Sequence, residues 1–363
     1  MNRAVAVLAV CAAAGCGALV KRIRAESWAQ PEFAWAGPGA PAITAEVHHG
    51  GTYHYAMQRE PSGVTSTLRA VAFHDRDAYA AGDAGVVLRR TARGGWVREP
   101  TPTTRTLRGL TGDTLGNSDL IAVGDAGTVL RRSPDGTWVP EPVPTTADLY
   151  AITGDGSVLY AVGDHGTLLQ RDQGVWRAIA TYTTADLRQF SAGIAIGRGG
   201  AIVDCRAWDP HRDPGALRCV PRRSPTRADL LAILDTGTAW RAYGTGGTCV
   251  RATRRAPIDA VLDPPRWADT TITAVADAGD LLAHTATPTG DADGADGEVA
   301  SILVGTGGRI EILGDPPVEL VVPGAPDLLG AALRLTDVFV VGAGGTILHL
   351  QAADVAVQKW YLV

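Results

Sequence analysis

The sequence predicts an all-β chain folded as a seven-bladed β-propeller of four-stranded antiparallel blades. Three observations predict it. A Gly-x-x-Gly pattern recurs along the chain, short apolar runs flank each copy, and turn residues are abundant, with 44 Gly and 22 Pro among 363 residues. A hydrophobic content of 45% excludes a disordered chain and leaves ample material for a core. The formal net charge of -5 argues against non-specific nucleic-acid binding.

The copies are Gly82-Asp83-Ala84-Gly85, Gly124-Asp125-Ala126-Gly127, Gly163-Asp164-His165-Gly166 and Gly197-Arg198-Gly199-Gly200. They continue as Gly244-Thr245-Gly246-Gly247, Gly305-Thr306-Gly307-Gly308 and Gly342-Ala343-Gly344-Gly345, about 43 residues apart on average. Around the third copy, Leu149-Tyr150-Ala151-Ile152, Leu159-Tyr160-Ala161-Val162, Thr167-Leu168-Leu169-Gln170 and Trp176-Arg177-Ala178-Ile179 read as four short strands. The Gly-x-x-Gly joins the second to the third through a tight hairpin needing positive φ, which glycine adopts without steric cost. Four short strands cannot bury both faces of their sheet alone. Stacking such units around an axis buries them against neighbours.

These residues resemble the photosystem II assembly/stability factor-like propellers, relatives of the BNR/Asp-box repeat proteins. Leu68-Arg69-Ala70-Val71-Ala72-Phe73, Tyr79-Ala80-Ala81-Gly82 and Val86-Val87-Leu88-Arg89 fit one unit, closed by Trp96. Ser133-Pro134-Asp135-Gly136-Thr137-Trp138 is similar to a shortened Asp-box, and Arg171-Asp172-Gln173-Gly174-Val175-Trp176 is a more degenerate one. The resemblance covers residues 65–363, most closely in the first three units. It implies a mostly non-catalytic interaction scaffold with a protein partner and no cofactor.

Residues 4–20 form an almost unbroken apolar run, the core of a signal peptide. Within it, Ala13-Ala14-Gly15-Cys16 resembles a lipobox, which would make Cys16 the lipid-bearing thiol; an ordinary signal peptide and an uncleaved anchor are the alternatives. The basic cluster Lys21-Arg22-Ile23-Arg24 lies on the wrong side of this run for the positive-inside rule. The expected organisation is therefore a signal peptide over 1–20, a tether able to add an outer strand over 21–60, and the propeller over 61–363. That places a monomer in the periplasm, on the outer membrane or outside the cell, touching membrane only through its N-terminal anchor.

Several constellations carry chemistry. Asp83, Asp125 and Asp164 occupy equivalent turn positions, where they form an acidic arc for a cation or basic partner, or serve simply as turn residues. Thr145-Thr146-Ala147-Asp148-Leu149 recurs as Thr183-Thr184-Ala185-Asp186-Leu187 in the connections between units. Arg105, Asp148 and Asp186 are the contact residues expected from these loops, whose side chains also suit local backbone hydrogen bonds. Asp291, Asp293, Asp296 and Glu298 alternate with Gly and Ala in a run that suits Ca²⁺ or is a solvated acidic loop; the spacing is not that of an EF-hand. Cys205 and Cys219 flank one hairpin and are expected to form a disulfide, leaving Cys249 unpaired and buried. His48, His49 and His54 cluster ahead of the repeats, as a metal site or a polar outer hairpin. Trp96, Trp138, Trp176 and Trp360 recur in the fourth strand and point to packing between units.

No Gly-x-Ser-x-Gly, His-Glu-x-x-His or phosphate-loop motif is present, and the Phe-Arg-Ile-Pro signature of sialidases is missing. The expected function is an exported, non-catalytic scaffold. A lectin-like propeller and a sialidase-like glycoside hydrolase are the rival readings.

Overall fold

The computed structural model describes residues 21–22, 43–48, 52–112, 119–155, 158–209, 213–235, 239–253, 261–263, 272–277, 301–313, 318–322, 324–334 and 337–352. Their strands form seven sheets. Six are built from four consecutive strands each, spanning 68–99, 107–140, 149–178, 187–222, 230–263 and 272–321. These are blades 1 to 6 in chain order, and each is antiparallel from first to fourth strand. The first strands of successive blades pack side by side around the ring, and that of the last sheet lies against that of blade 1. The molecule is a β-propeller.

The seventh sheet corrects the expectation of seven like units in unbroken succession. Its first three strands are Leu328–Arg334, Asp337–Gly342 and Thr346–Ala352, but its fourth is Thr52–Arg59 from the N-terminal side. Ile43–His48 pairs outside that strand as a fifth. The C-terminal residues, Trp360 included, lie outside the described residues, and the fourth-strand place expected for that tryptophan is filled by Thr52–Arg59. A further strand, Lys21–Arg22, runs parallel to the outer strand of blade 6. Main-chain pairing thus draws the two ends of the ring together.

The core lies between blades. Alternation along a strand sends neighbouring side chains to opposite faces, so a blade with apolar residues on both faces must be covered twice. Ala70, Tyr79, Ala81 and Val87 of blade 1 pack with Leu107, Leu110, Leu120 and Trp138 of blade 2. Leu68, Phe73 and Leu88 turn the other way, onto Phe339, Val341 and Ile347 of the seventh sheet. Equivalent shared clusters sit at the remaining junctions.

The Gly-x-x-Gly hairpins differ from expectation in a telling detail. The first glycine is not at positive φ: Gly82 is extended, at φ -170°. It is small because a Cβ would strike the Thr67 carbonyl oxygen, which accepts a hydrogen bond from Asp83 N at 2.9 Å. The left-handed pair is the third and fourth residues, Ala84 at φ 57° and Gly85 at φ 66°. Gly85 also faces the Thr103 carbonyl of the connection to blade 2, so the fourth glycine answers to both constraints.

A second repeated device ties the outer rim. Glu99 at the end of blade 1 accepts two bonds from the Arg132 guanidinium, both at 2.9 Å, and one from Trp138 Nε1 at 2.8 Å in blade 2. Glu141 does the same for Arg171 and Trp176 of blade 3. Glu60, directly after Thr52–Arg59, does it for Arg90 and Trp96 of blade 1. In each case arginine and tryptophan are directly opposite partners on the third and fourth strands. The tryptophans therefore pack between blades and also donate across the junction. At the same register in blade 4 stand Cys205 and Cys219, joined by a disulfide. In the seventh sheet it is Leu350 opposite Met57. Cys249 is buried, as expected.

Two outcomes follow for stability. Gly345→Ala places a Cβ against the Val64 carbonyl at φ 71° and should lower stability by at least about 2 kcal/mol. Gly344→Ala, in open space at the position alanine already fills in two other turns, should cost no more than about 1 kcal/mol; thermal melts of the two variants check this. Burial alone would raise the Glu60 pKa, but hydrogen bonds from His349, Arg90 and Trp96 outweigh it and hold the carboxyl at about 2. The stability it contributes is present above its ordinary value of 4.5 and is lost as pH falls towards about 2. Melts of wild type and Glu60→Gln should therefore converge on acidification through that window.

Candidate functional site

One face of the ring carries both the Gly-x-x-Gly turns and the connections between blades. The two sets interlock. Asp148 Oδ1 accepts from Ala126 N at 2.7 Å, Asp186 Oδ1 from His165 N at 3.2 Å, Asp229 Oδ1 from Gly199 N at 2.8 Å and Asp327 Oδ1 from Gly307 N at 3.0 Å. Each carboxylate belongs to the connection leading into one blade and holds the turn of the blade before it. Arg105, the other residue expected to make contacts here, is exposed and donates to the Ala126 carbonyl at 3.2 Å. Asp148 and Asp186 thus have a structural task on the face where sequence placed them.

The residues nearest the axis on this face are set by a bulge. In every sheet the pairing of first and second strands slips after the first residue, as between Leu68 and Ala70 or Leu187 and Gln189. A bulge leaves one residue out of the pairing and re-aims its side chain. The residues so released in blades 1 to 4 are Arg69, Arg108, Tyr150 and Arg188. Arg69 binds Asp83, Arg108 binds Asp125, and Tyr150 Oη donates to Asp164. The acidic arc is therefore a row of carboxylates each engaged by the bulge residue of its own blade. Arg188 lies 3.7 Å from Asp186, which is also 3.6 Å from Arg198.

Tyr150 sits between two arginines. The Arg188 guanidinium lies 3.7 Å from its ring centre and that of Arg108 5.4 Å. Flat cations against an aromatic face attract one another and leave their N–H edges free to bind carboxylates. Burial, and next the hydrogen bond to Asp164, push the Tyr150 pKa up to about 12, against the opposing pull of Arg188. Tyr150 is thus a phenol donor through the neutral range.

In the connection leading into blade 4, Tyr182 is 76% exposed and adopts φ 57°. Its place in the connection is held by Pro102, Pro144 and Pro225 elsewhere, residues whose rings forbid that φ. A strained, exposed tyrosine on a rigid loop is a feature typical of contact surfaces.

The sequence motifs point to the loops of this face but not to Arg69, Arg108, Tyr150, Arg188 and Tyr182. The signal was present: each of the first four follows the leucine that opens a first strand. The acidic run of Asp291, Asp293, Asp296 and Glu298 lies outside the described residues, as do Cys16 and His49; His48 and His54 lie on the two outermost strands of the seventh sheet. Among the described residues no group of three or more His, Cys, Asp or Glu is placed to hold a metal ion.

No protein-family model and no curated protein matches the chain by sequence. Solved structures do match in shape. YCF48 bound to a D1 peptide is 15% identical, with a TM-score of 0.59 over 88% of this chain and 100% of that one. YCF48 from Cyanidioschyzon merolae is also 15% identical, with a TM-score of 0.57 over 81% of this chain and 98% of that one. Virginiamycin B lyase from Staphylococcus aureus is 13% identical, with a TM-score of 0.60 over 82% and 99%. At such identities the likeness establishes the propeller, a fold shared here by a peptide-bound protein and by an enzyme.

If the ladder is ordered by its own contacts, Tyr150→Phe should leave stability within about 1 kcal/mol, since the ring faces remain. Tyr150→Ala should lower it by about 2 kcal/mol or more and loosen Arg188; urea denaturation of both variants checks this.

Proposed function

We propose that this chain is a non-catalytic propeller of seven sectors that binds another protein through the face bearing the Gly-x-x-Gly turns. The observation that carries this reading is the Arg108–Tyr150–Arg188 ladder; Tyr182 adds an exposed aromatic in the connection leading into blade 4. Interface energy concentrates in a few aromatic and arginine anchors on pre-ordered supports. The bulges fix the anchors, and the carboxylate locks of Asp148, Asp186 and Asp229 fix the loops around them. The Arg188 guanidinium, 3.7 Å from Asp186, suits a carboxylate-bearing extended segment. The likeness to YCF48 bound to a D1 peptide is consistent with a peptide-like ligand on such a ring.

We place the protein in the cell envelope or outside the cell, as an exported monomer with a lipid on Cys16. The apolar run over 4–20 and the Cys205–Cys219 disulfide support an oxidising compartment. Mass spectrometry of the mature N-terminus should show a diacylated or triacylated Cys16; an unmodified N-terminus elsewhere overturns the lipid.

Affinity capture from solubilised envelopes should give a stoichiometric protein with the wild type. That protein should be retained at least about 10-fold less well by Arg188→Ala, and by Tyr182→Ala at unchanged melting temperature. Capture insensitive to both substitutions, a glycan as the sole ligand, or turnover of a streptogramin or sialoside substrate would each overturn the reading.

A further inference from the structure

The rim locks differ in one residue. In blade 1 the permanent cation Arg89 bridges Asp77, at 2.9 Å, and Glu99, at 3.2 Å. In blade 2 Arg131 reaches Glu141 at 3.0 Å. The same position, four residues after the last glycine of the turn, is His349 in the seventh sheet. Its Nδ1 is 3.0 Å from Glu60 Oε1 and its Nε2 3.2 Å from Asp337 Oδ1. The imidazole is 11% exposed and stacked on Phe339, ring centres 4.4 Å apart.

This geometry requires an imidazolium. Neutral imidazole has a single N–H, so it would turn one ring-nitrogen lone pair onto a carboxylate oxygen. The groups facing it are Asp337 and Phe339 on the second strand, Gln58 opposite and Glu60 just beyond on the N-terminal strand, and Arg90 and Trp96 on blade 1. Arg59 lies next to Glu60 in the chain. Of these, Arg90 opposes a charge on the ring, while the two carboxylates favour it. Burial lowers the His349 pKa, and the hydrogen bonds the ring donates to Asp337 and Glu60 more than reverse that, leaving it above its ordinary value.

We propose that His349 is a proton-operated latch on the junction where the N-terminal strand closes the ring. Protonated, it clasps Glu60 and Asp337 together and holds Thr52–Arg59 on the seventh sheet and Glu60 against blade 1. Deprotonated, it repels one carboxylate, and the strand end is released. The raised folded-state pKa fixes the sign. Closure is at full strength below the unfolded value of about 6.5 and weakens as pH rises to the folded-state value, above which it is constant again. The junctions of blades 1 and 2 with their successors, held by arginine, do not respond.

The test is amide hydrogen exchange of the full chain between pH 6 and 9, corrected for intrinsic exchange. In wild type the opening constant of Thr52–Arg59 should rise by up to about tenfold per pH unit from pH 6.5. Strands of blades 1 to 3 should stay flat. His349→Arg, which copies the other locks, should remove the slope and keep the strand closed at pH 9. His349→Gln should open at pH 6 as readily as wild type does at pH 9, again without slope. A flat wild-type profile, or a slope that survives either substitution, overturns the latch.

Discussion

Every sheet in this ring has two apolar faces and therefore cannot stand alone. Leu68 and Leu88 need Phe339 and Ile347 on one side, while Tyr79 and Val87 need Leu107 and Trp138 on the other. Burial is thus a property of pairs of blades, and satisfying it for all of them demands closure. The turns, the bulges, the rim locks and the composite last sheet are all answers to that demand. The turns let neighbouring backbones approach closely, the locks hold adjacent outer strands together, and the composite sheet removes the final open edge.

Most of the architecture was legible because closure imposes repetition. The fourth glycine of each turn is dictated by backbone contact with the next connection, so it recurs and can be counted. The tryptophans of the first three blades recur for a related reason. What repetition could not reveal is where the pattern is broken. Thr52–Arg59 carries no turn motif and no tryptophan, and Met57 is the residue placed opposite Leu350. Sequence marks it at most as a strand of an outer hairpin, without saying which blade it joins. Its assignment depends on a third strand almost three hundred residues away.

The site was legible in part for the opposite reason. Residues in motifs drew attention, and Asp148 and Asp186 proved to be fasteners. Those nearest the axis are the variable ones: Arg69, Arg108, Tyr150 and Arg188 differ because the bulge releases them from strand pairing. A repeated scaffold hides its distinguishing chemistry in the positions that do not repeat. Tyr182 fits this view, as a non-glycine residue in left-handed backbone where Pro102, Pro144 and Pro225 stand in other connections.

The composite last sheet also has a consequence for biosynthesis. Thr52–Arg59 is made before all six continuous blades, yet its partner, Thr346–Ala352, emerges some three hundred residues later. Until then the nascent chain is an open arc with an uncovered edge at each end, the kind of intermediate that invites intermolecular pairing. A strand made before all six continuous blades therefore waits for the third strand of the last sheet before it can pair there.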